Sequence, residues 1–285
     1  MRVLVTGAAG KTGQAVIREL VKRNTAVRAL VRRDAQIERA KSIGAAEVML
    51  GDMLDTAVWQ QATQNIDAIY HICPNMHPEE VAIGQMAMVA AKQNGVRHFV
   101  YHSVLHPHIE AMPHHWHKMR VEEMLFTSGL DFTILQPAAY MQNILANWRT
   151  ITELGIYCVP YAPSARMSLV DLADVAEAAA IVLTETGHSG AIYELVGPEI
   201  LDQTQIADRL GEVVGREVTA VQQSFSDWEQ NAKESGLNPY AIETLLKMFR
   251  YYDEYGFWAN SHVLSWLLKR APKTLTEFFR EGGNS

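Results

Sequence analysis

Val3-Leu4-Val5-Thr6-Gly7-Ala8-Ala9-Gly10-Lys11-Thr12-Gly13 reads as a buried β-strand that runs into a glycine loop and opens a helix. Glycines spaced G-x-x-G-x-x-G let the backbone turn tightly, approach a pyrophosphate closely and pack helix against strand, while the first N–H groups of the helix face the anion. The spacing departs from the commoner G-x-G-x-x-G, so the context has to carry the reading. It does so through the apolar strand before the loop and through Val16, Ile17, Leu20 and Val21 after it, which recur at helical spacing. A glycine turn without a ligand is the plainer alternative.

The second strand, Ala26 to Val31, runs straight into Arg32-Arg33. A binder of the unphosphorylated dinucleotide places Asp or Glu there to hold the ribose 2′-OH. No acid stands at that point, and two guanidiniums suit a 2′-phosphate because each offers planar, charge-assisted donors. Lys11 in the loop adds a third positive charge. Either arginine alone is equally well read as a solvated surface residue; together they point to NADP(H).

The chain of 285 residues is 48% hydrophobic, enough for a sizeable core. Its formal charge of −7 argues against a nucleic-acid footprint. Cys73 and Cys158 are far apart with no CxxC pair, which suits a reducing compartment and no zinc site. No apolar run reaches the roughly 18 residues of a membrane span, and the first segment reads as a core strand, so the expectation is a cytoplasmic protein that binds no membrane.

Strands and helices alternate through the first 150 residues. A helix is expected over 34–43, strands over Glu47–Leu50, Ile66–Ile72 and Arg97–Ser103, and a helix from Pro78 to Asn94. A helix starts at Pro113, and Asp131–Leu135 is a further strand. Such alternation implies right-handed crossovers, a doubly wound parallel sheet of Rossmann type, and ligands at the carboxyl ends of the strands. The loops at 7–13, 32–33, 51–55, 73–77 and 103–113 therefore line one edge, which puts Thr6, Thr12, Met53, Cys73 and Pro74 beside a bound dinucleotide. Asp52 lies beside the adenine or caps the next helix. Residues 1–150 are read as the NADP-binding domain. Residues 151–285 are read as a smaller, mainly helical C-terminal lobe for substrate or partner, packed on the first and sharing some elements with it. Its helices are expected over 171–184, 202–215 and much of 225–281, with a strand over Ala191–Val196. Its aromatics form a core or roof a pocket.

In the helix from Pro113, Val121, Met124, Leu125 and Ser128 define the inward stripe, His114 and His117 fall within it, and Lys118 lies on its flank. Lys118 either snorkels to solvent or hydrogen-bonds a cofactor ribose. Seven of the eleven histidines lie between positions 98 and 117. His106-x-His108 and His114-x-x-His117 are possible ligand pairs, but no companion carboxylate is evident and no metal is expected; a pH-sensitive loop is the alternative.

These elements jointly resemble the NmrA-like branch of the atypical short-chain dehydrogenases/reductases. The resemblance rests on Thr6 to Gly13, Arg32-Arg33, Gly51-Asp52, His114-x-x-x-Lys118-x-x-Val121-Glu122-Glu123, Gln136-Pro137 with Asn143, and Val170-Asp171-x-x-Asp174-Val175-Ala176. It implies an NADP(H)-dependent reductase of a small organic substrate such as a quinone, carbonyl or conjugated compound. Some relatives instead sense the NADPH/NADP ratio and bind a regulatory protein with little turnover. The resemblance maps Lys118 onto the lysine of the Tyr-x-x-x-Lys pair, with His114 at the tyrosine position. Ser103 falls roughly where a catalytic serine would or is a strand-end turn residue, and Tyr140 is a further candidate beside the nicotinamide.

Overall fold

A computed structural model describes residues 1–282. The first strand forms as read: β1 (Arg2–Val5) leads through the glycine loop into α1 (Lys11–Lys22). The alternation continues through β2 (Ala26–Val31), α2 (Ile37–Ser42), β3 (Glu47–Leu50), α3 (Thr56–Ala62), β4 (Ala68–His71), α4 (Glu80–Gln93), β5 (His98–His102), α5 (Pro113–Ser128) and β6 (Phe132–Pro137). Then come β7 (Ala139–Tyr140), α6 (Trp148–Leu154), β8 (Ile156–Val159), β9 (Met167–Val170), α7 (Leu172–Thr184), β10 (Ala191–Leu195), β11 (Ile200–Leu201) and α8 (Gln203–Val214). The last elements are β12 (Thr219–Gln222), α9 (Phe225–Glu234), α10 (Pro239–Tyr255), α11 (His262–Leu268) and α12 (Leu275–Arg280).

Seven strands form one sheet in the order β10-β6-β5-β4-β1-β2-β3. The registers from β3 across to β6 are parallel, with Val5 opposite both Ala29 and Tyr70. This is the doubly wound Rossmann arrangement. From β1 the chain winds outward to β3, then returns to place β4 on the other side of β1. Right-handed crossovers of opposite direction cover the two faces with helices and leave a crevice between the ends of β1 and β4. On one face Leu4, Ile69, Phe99 and Ile134 meet Trp59, Ile83, Val121 and Leu125 from α3, α4 and α5.

The chain divides into two compact units that interleave along the sequence. The first comprises residues 1–108, 115–136 and 175–193; the second comprises 109–114, 137–174 and 194–285. The second unit is less purely helical than its composition suggested. It contains a three-stranded sheet, β11-β9-β7, and a two-stranded one, β12-β8. The strands between residues 155 and 170 escape a reading by periodicity because they are only four residues long, with Gly155 just before the first and Pro160 and Pro163 between the two. The aromatics Tyr157, Phe278 and Phe279 lie in that unit's core, whereas Trp258 and Trp266 are exposed.

Candidate functional site

The glycine loop is shaped by its own backbone. Gly7 adopts φ +58, a left-handed conformation that suits glycine, and its carbonyl accepts from Gly10 N at 2.9 Å. Gln14, buried in the first turn of α1, donates to Ala9 O at 2.7 Å and accepts from Arg39 Nε at 2.8 Å. Arg39 is therefore tied to the loop through Gln14, a link that sequence spacing does not reveal. Thr6 closes the β1/β4 end: its hydroxyl accepts from Ile72 N at 2.8 Å, donates to Ile72 O at 3.0 Å and lies 3.0 Å from His71 Nδ1.

Lys11, Arg32 and Arg33 are exposed. The backbone N–H groups of both arginines donate to Gln36 Oε1, at 3.1 and 3.0 Å, so a single amide fixes the bend that ends β2. Arg28 behaves differently. Buried within β2, it pairs with Glu47 at 2.8 Å and donates to the carbonyls of Ala62 and Gln64, a structural rivet that satisfies its charge.

Of the two alternatives for Asp52, capping of the next helix does not form. Asp52 Oδ1 accepts from Leu54 N at 3.0 Å within its own turn, and Asp55 is the residue that caps α3, accepting from Ala57 N at 2.8 Å. Asp52 stands three residues before the N-cap position of α3, so its side chain closes its own turn onto Leu54 N and the cap falls to Asp55. Asp52 thus stays exposed at the end of β3. Trp59 Nε1 donates to Met53 O at 2.7 Å and anchors this loop from beneath. At the end of β4, Cys73 is buried and Pro74 half-buried; burial, followed by the nearby Glu80 charge, pushes the Cys73 thiol well above its ordinary range.

The inward face of α5 corrects the flank reading. His114, His115, Lys118, Val121, Glu122 and Leu125 are buried, while Met124 and Ser128 are half-buried. The stripe is rotated so that Lys118 points into the first unit, 5% exposed, and does not snorkel. The flank position follows from helical spacing, and of its two alternatives snorkelling to solvent does not occur, because the charge is compensated inside. Lys118 Nζ lies 2.7 Å from Glu80 Oε1 and 3.1 Å from His102 O, and the ammonium stands 5.3 Å from the centre of the Tyr101 ring. Tyr101 donates to the same Glu80 oxygen at 2.9 Å. Burial, reinforced by the Glu80 charge, holds that phenol well above its ordinary range.

One turn further along α5, Glu122 forms a second buried cluster. Ser103 donates to Glu122 Oε1, and Gln136 Nε2 donates to both carboxylate oxygens at 3.0 Å. Burial raises the Glu122 carboxyl, with these hydrogen bonds pulling the other way. His71, His102 and His115 are each lowered to about 3, chiefly by burial, with Lys118 adding repulsion. The imidazoles are therefore neutral at neutral pH.

The first unit contains the glycine loop, Arg32, Arg33, Asp52, Met53, Cys73, Pro74, Ser103 and Lys118. His114, in the first turn of α5, and Tyr140, half-buried at the end of β7, belong to the second unit. Glu80 and Tyr101 were not singled out from the sequence, nor was Glu122 given a role. The available signal was a carboxylate one helical turn after Lys118, together with acids in otherwise apolar stretches. Among the described residues, no three His, Cys, Asp or Glu side chains come together in a way that could hold a metal ion, and no helix is long and apolar enough to cross a membrane.

The model of the NmrA-like family matches residues 1–279. The chain belongs to the NmrA-like family. Quinone oxidoreductase 2 of Escherichia coli (strain K12) is 29% identical over 277 residues, 96% of each chain. The NAD(P)H azoreductase of Xenophilus azovorans is 30% identical over 224 residues, 77% of this chain and 76% of that protein. Among solved structures, the NADPH-dependent quinone oxidoreductase QOR2 of Escherichia coli, complexed with NADPH, superposes with a TM-score of 0.87 at 29% identity. The match covers 99% of this chain and all of that one. For a member of the NmrA-like family, the glycine loop at the β1/β4 crevice is the expected seat of a dinucleotide.

Proposed function

We propose that this protein is an NADPH-dependent reductase of small organic acceptors such as quinones or conjugated carbonyl compounds. The observation that carries the reading is the cradle at the end of β1. Gly7, Gly10 and Gly13 enclose a loop whose helix offers its N-terminal N–H groups, and Arg32 and Arg33 are exposed at the end of the next strand. The two relatives above that carry reductase names span most of their length with this chain, and the QOR2 structure holds NADPH. A dinucleotide fits the residues present.

When bound, NADPH supplies a hydride. The glycine loop binds its pyrophosphate, with Thr6 and Thr12 flanking the turn. Arg32, Arg33 and Lys11 select the 2′-phosphate, and Asp52, Met53, Cys73 and Pro74 line the adenine and ribose path. Lys118 holds the nicotinamide ribose. An ammonium has three N–H groups, and Glu80 and His102 occupy two of them. Hydride arrival at a carbonyl or quinone places negative charge on oxygen, which needs a donor. Ser103 is the hydroxyl at the end of β5, and His114 stands one helical turn before Lys118, at the tyrosine position of the short-chain reductase Tyr-x-x-x-Lys pair. Tyr140 is kept as a candidate from the resemblance alone.

The experiment is NADPH oxidation followed against a panel of quinones, azo dyes and aldehydes. Turnover with at least one acceptor, slowed by His114→Ala with NADPH affinity nearly intact, supports the reading. A protein that binds NADPH yet reduces nothing across the panel, as wild type and as His114→Tyr, is instead a sensor of the NADPH/NADP ratio.

A further inference from the structure

We propose that Glu80 is a positioning residue of the reductase site, acting through Lys118; this rests on the reading that Lys118 contacts the cofactor. Glu80 is the first residue of α4, far from the glycine loop and from α5 in sequence, and its side chain is 1% exposed against 6% for Lys118. The two ends meet at 2.7 Å.

A buried ion pair is a poor device for stability, because desolvating two charges consumes most of what their attraction returns, and well-packed apolar residues serve as well or better. What such a pair provides is a fixed position. Lys118 Nζ is held by acceptors from two different elements, Glu80 on α4 and the His102 carbonyl on β5. With two N–H directions set, tetrahedral geometry sets the third. Glu80 is itself held, since Tyr101 donates to the same oxygen at 2.9 Å. The other groups around the ammonium do not substitute for Glu80. His71, His102 and His115 are neutral at neutral pH, Cys73 keeps its proton, and the Glu122 carboxyl is engaged by Ser103 and Gln136. Glu80 is the acid whose oxygen reaches Lys118 directly, so the ammonium is aimed from α4.

The test is a double-mutant cycle on NADPH affinity, measured by calorimetry for wild type, Glu80→Gln, Lys118→Met and the pair combined. Glu80→Gln is expected to weaken NADPH about tenfold, and to add nothing once Lys118 is Met, because a residue that acts through another has no effect when the other is gone. Tyr101→Phe, which leaves the ion pair but removes one tether, is expected to weaken NADPH about twofold in wild type and not in Lys118→Met. It carries the test if Glu80→Gln does not fold. Equal losses in both backgrounds, or no loss in either, overturn the positioning role while leaving Lys118 at the cofactor. If Lys118→Met itself binds NADPH as tightly as wild type, the placement of Lys118 fails and the role of Glu80 falls with it.

Discussion

The carbonyl oxygen of Gly7 stands 2.4 Å from the point a Cβ on Gly13 would occupy, and Ala8 Cα is 2.8 Å from the same point. Loop and helix therefore touch backbone to backbone, and the third glycine is required by packing before any ligand is considered. Gly13→Ala is expected to cost about 2 kcal/mol, because neither opposing atom belongs to a side chain that can swing away. Gly10 differs: a Cβ there meets only Gly7 O, at 3.2 Å, and the residue is exposed with an extended φ of −74. Gly10→Val should keep the fold and lose NADPH binding. Thermal unfolding with and without saturating NADPH separates the two; undiminished stabilisation of Gly10→Val by NADPH refutes the cradle.

Cofactor choice should lie in Arg32 and Arg33. Each charge-assisted hydrogen bond to a 2′-phosphate is worth roughly 1.5–3 kcal/mol, so NADPH should bind at least about tenfold more tightly than NADH. Replacing both arginines by Ala should erase the difference and leave NADH affinity nearly unchanged. Equal affinities in the unmodified protein would exclude the clamp.

Acid stability follows from the buried imidazoles. His71, His102 and His115 have folded-state values of about 3, whereas unfolded histidine titrates near about 6.5. Between those values the unfolded chain binds protons that the folded chain refuses, so stability is complete above about pH 6.5 and is lost as pH falls from there towards 3. Each histidine contributes about 1.4 kcal/mol per pH unit across that window. Glu122, raised by burial, takes up its proton in the folded state at a higher pH than in the unfolded chain and so opposes part of the loss. Urea unfolding at pH 7, 6 and 5 should give a free energy that drops steeply; a flat profile contradicts the neutral buried state.

The second unit has its own buried charges. Asp171 is fully buried and accepts from Gln142 Nε2 at 2.7 Å, and Lys273 Nζ pairs with it at 3.1 Å. Desolvation pulls the Lys273 ammonium down, but Glu281 and Asp171 outweigh it and hold it above its ordinary value. Asp174 accepts from Lys273 N at 2.7 Å and pairs with Arg270 at 2.6 Å. Removing one partner of a fully buried pair costs roughly 3–5 kcal/mol; with Lys273 a quarter exposed, Lys273→Met should destabilise by about 2 kcal/mol. Chemical denaturation checks the figure, and a change within error would show that the pair is solvated.

The sequence by itself determined the first unit's architecture. Apolar strands, glycine punctuation and alternating helices are local signals. With right-handed crossovers they imply a doubly wound parallel sheet with ligands at the carboxyl ends of its strands, where Thr6, the three glycines, Arg32 and Arg33 lie; the strand order, including β10 at the edge, came from the structure. These residues are adjacent in sequence or sit at strand ends, so topology alone places them. The surroundings of Lys118 were decided only by tertiary structure. Helical periodicity assigns faces from hydrophobicity, and it set a lysine at the rim because it could not see Glu80, 38 residues earlier, arriving from another helix to share the burial. The same holds for Glu122 with Ser103 and Gln136, for Arg39 joined to the loop through Gln14, and for the short strands of the second unit. In each case the partner is remote in the chain, and a polar residue's place is fixed by what it meets there.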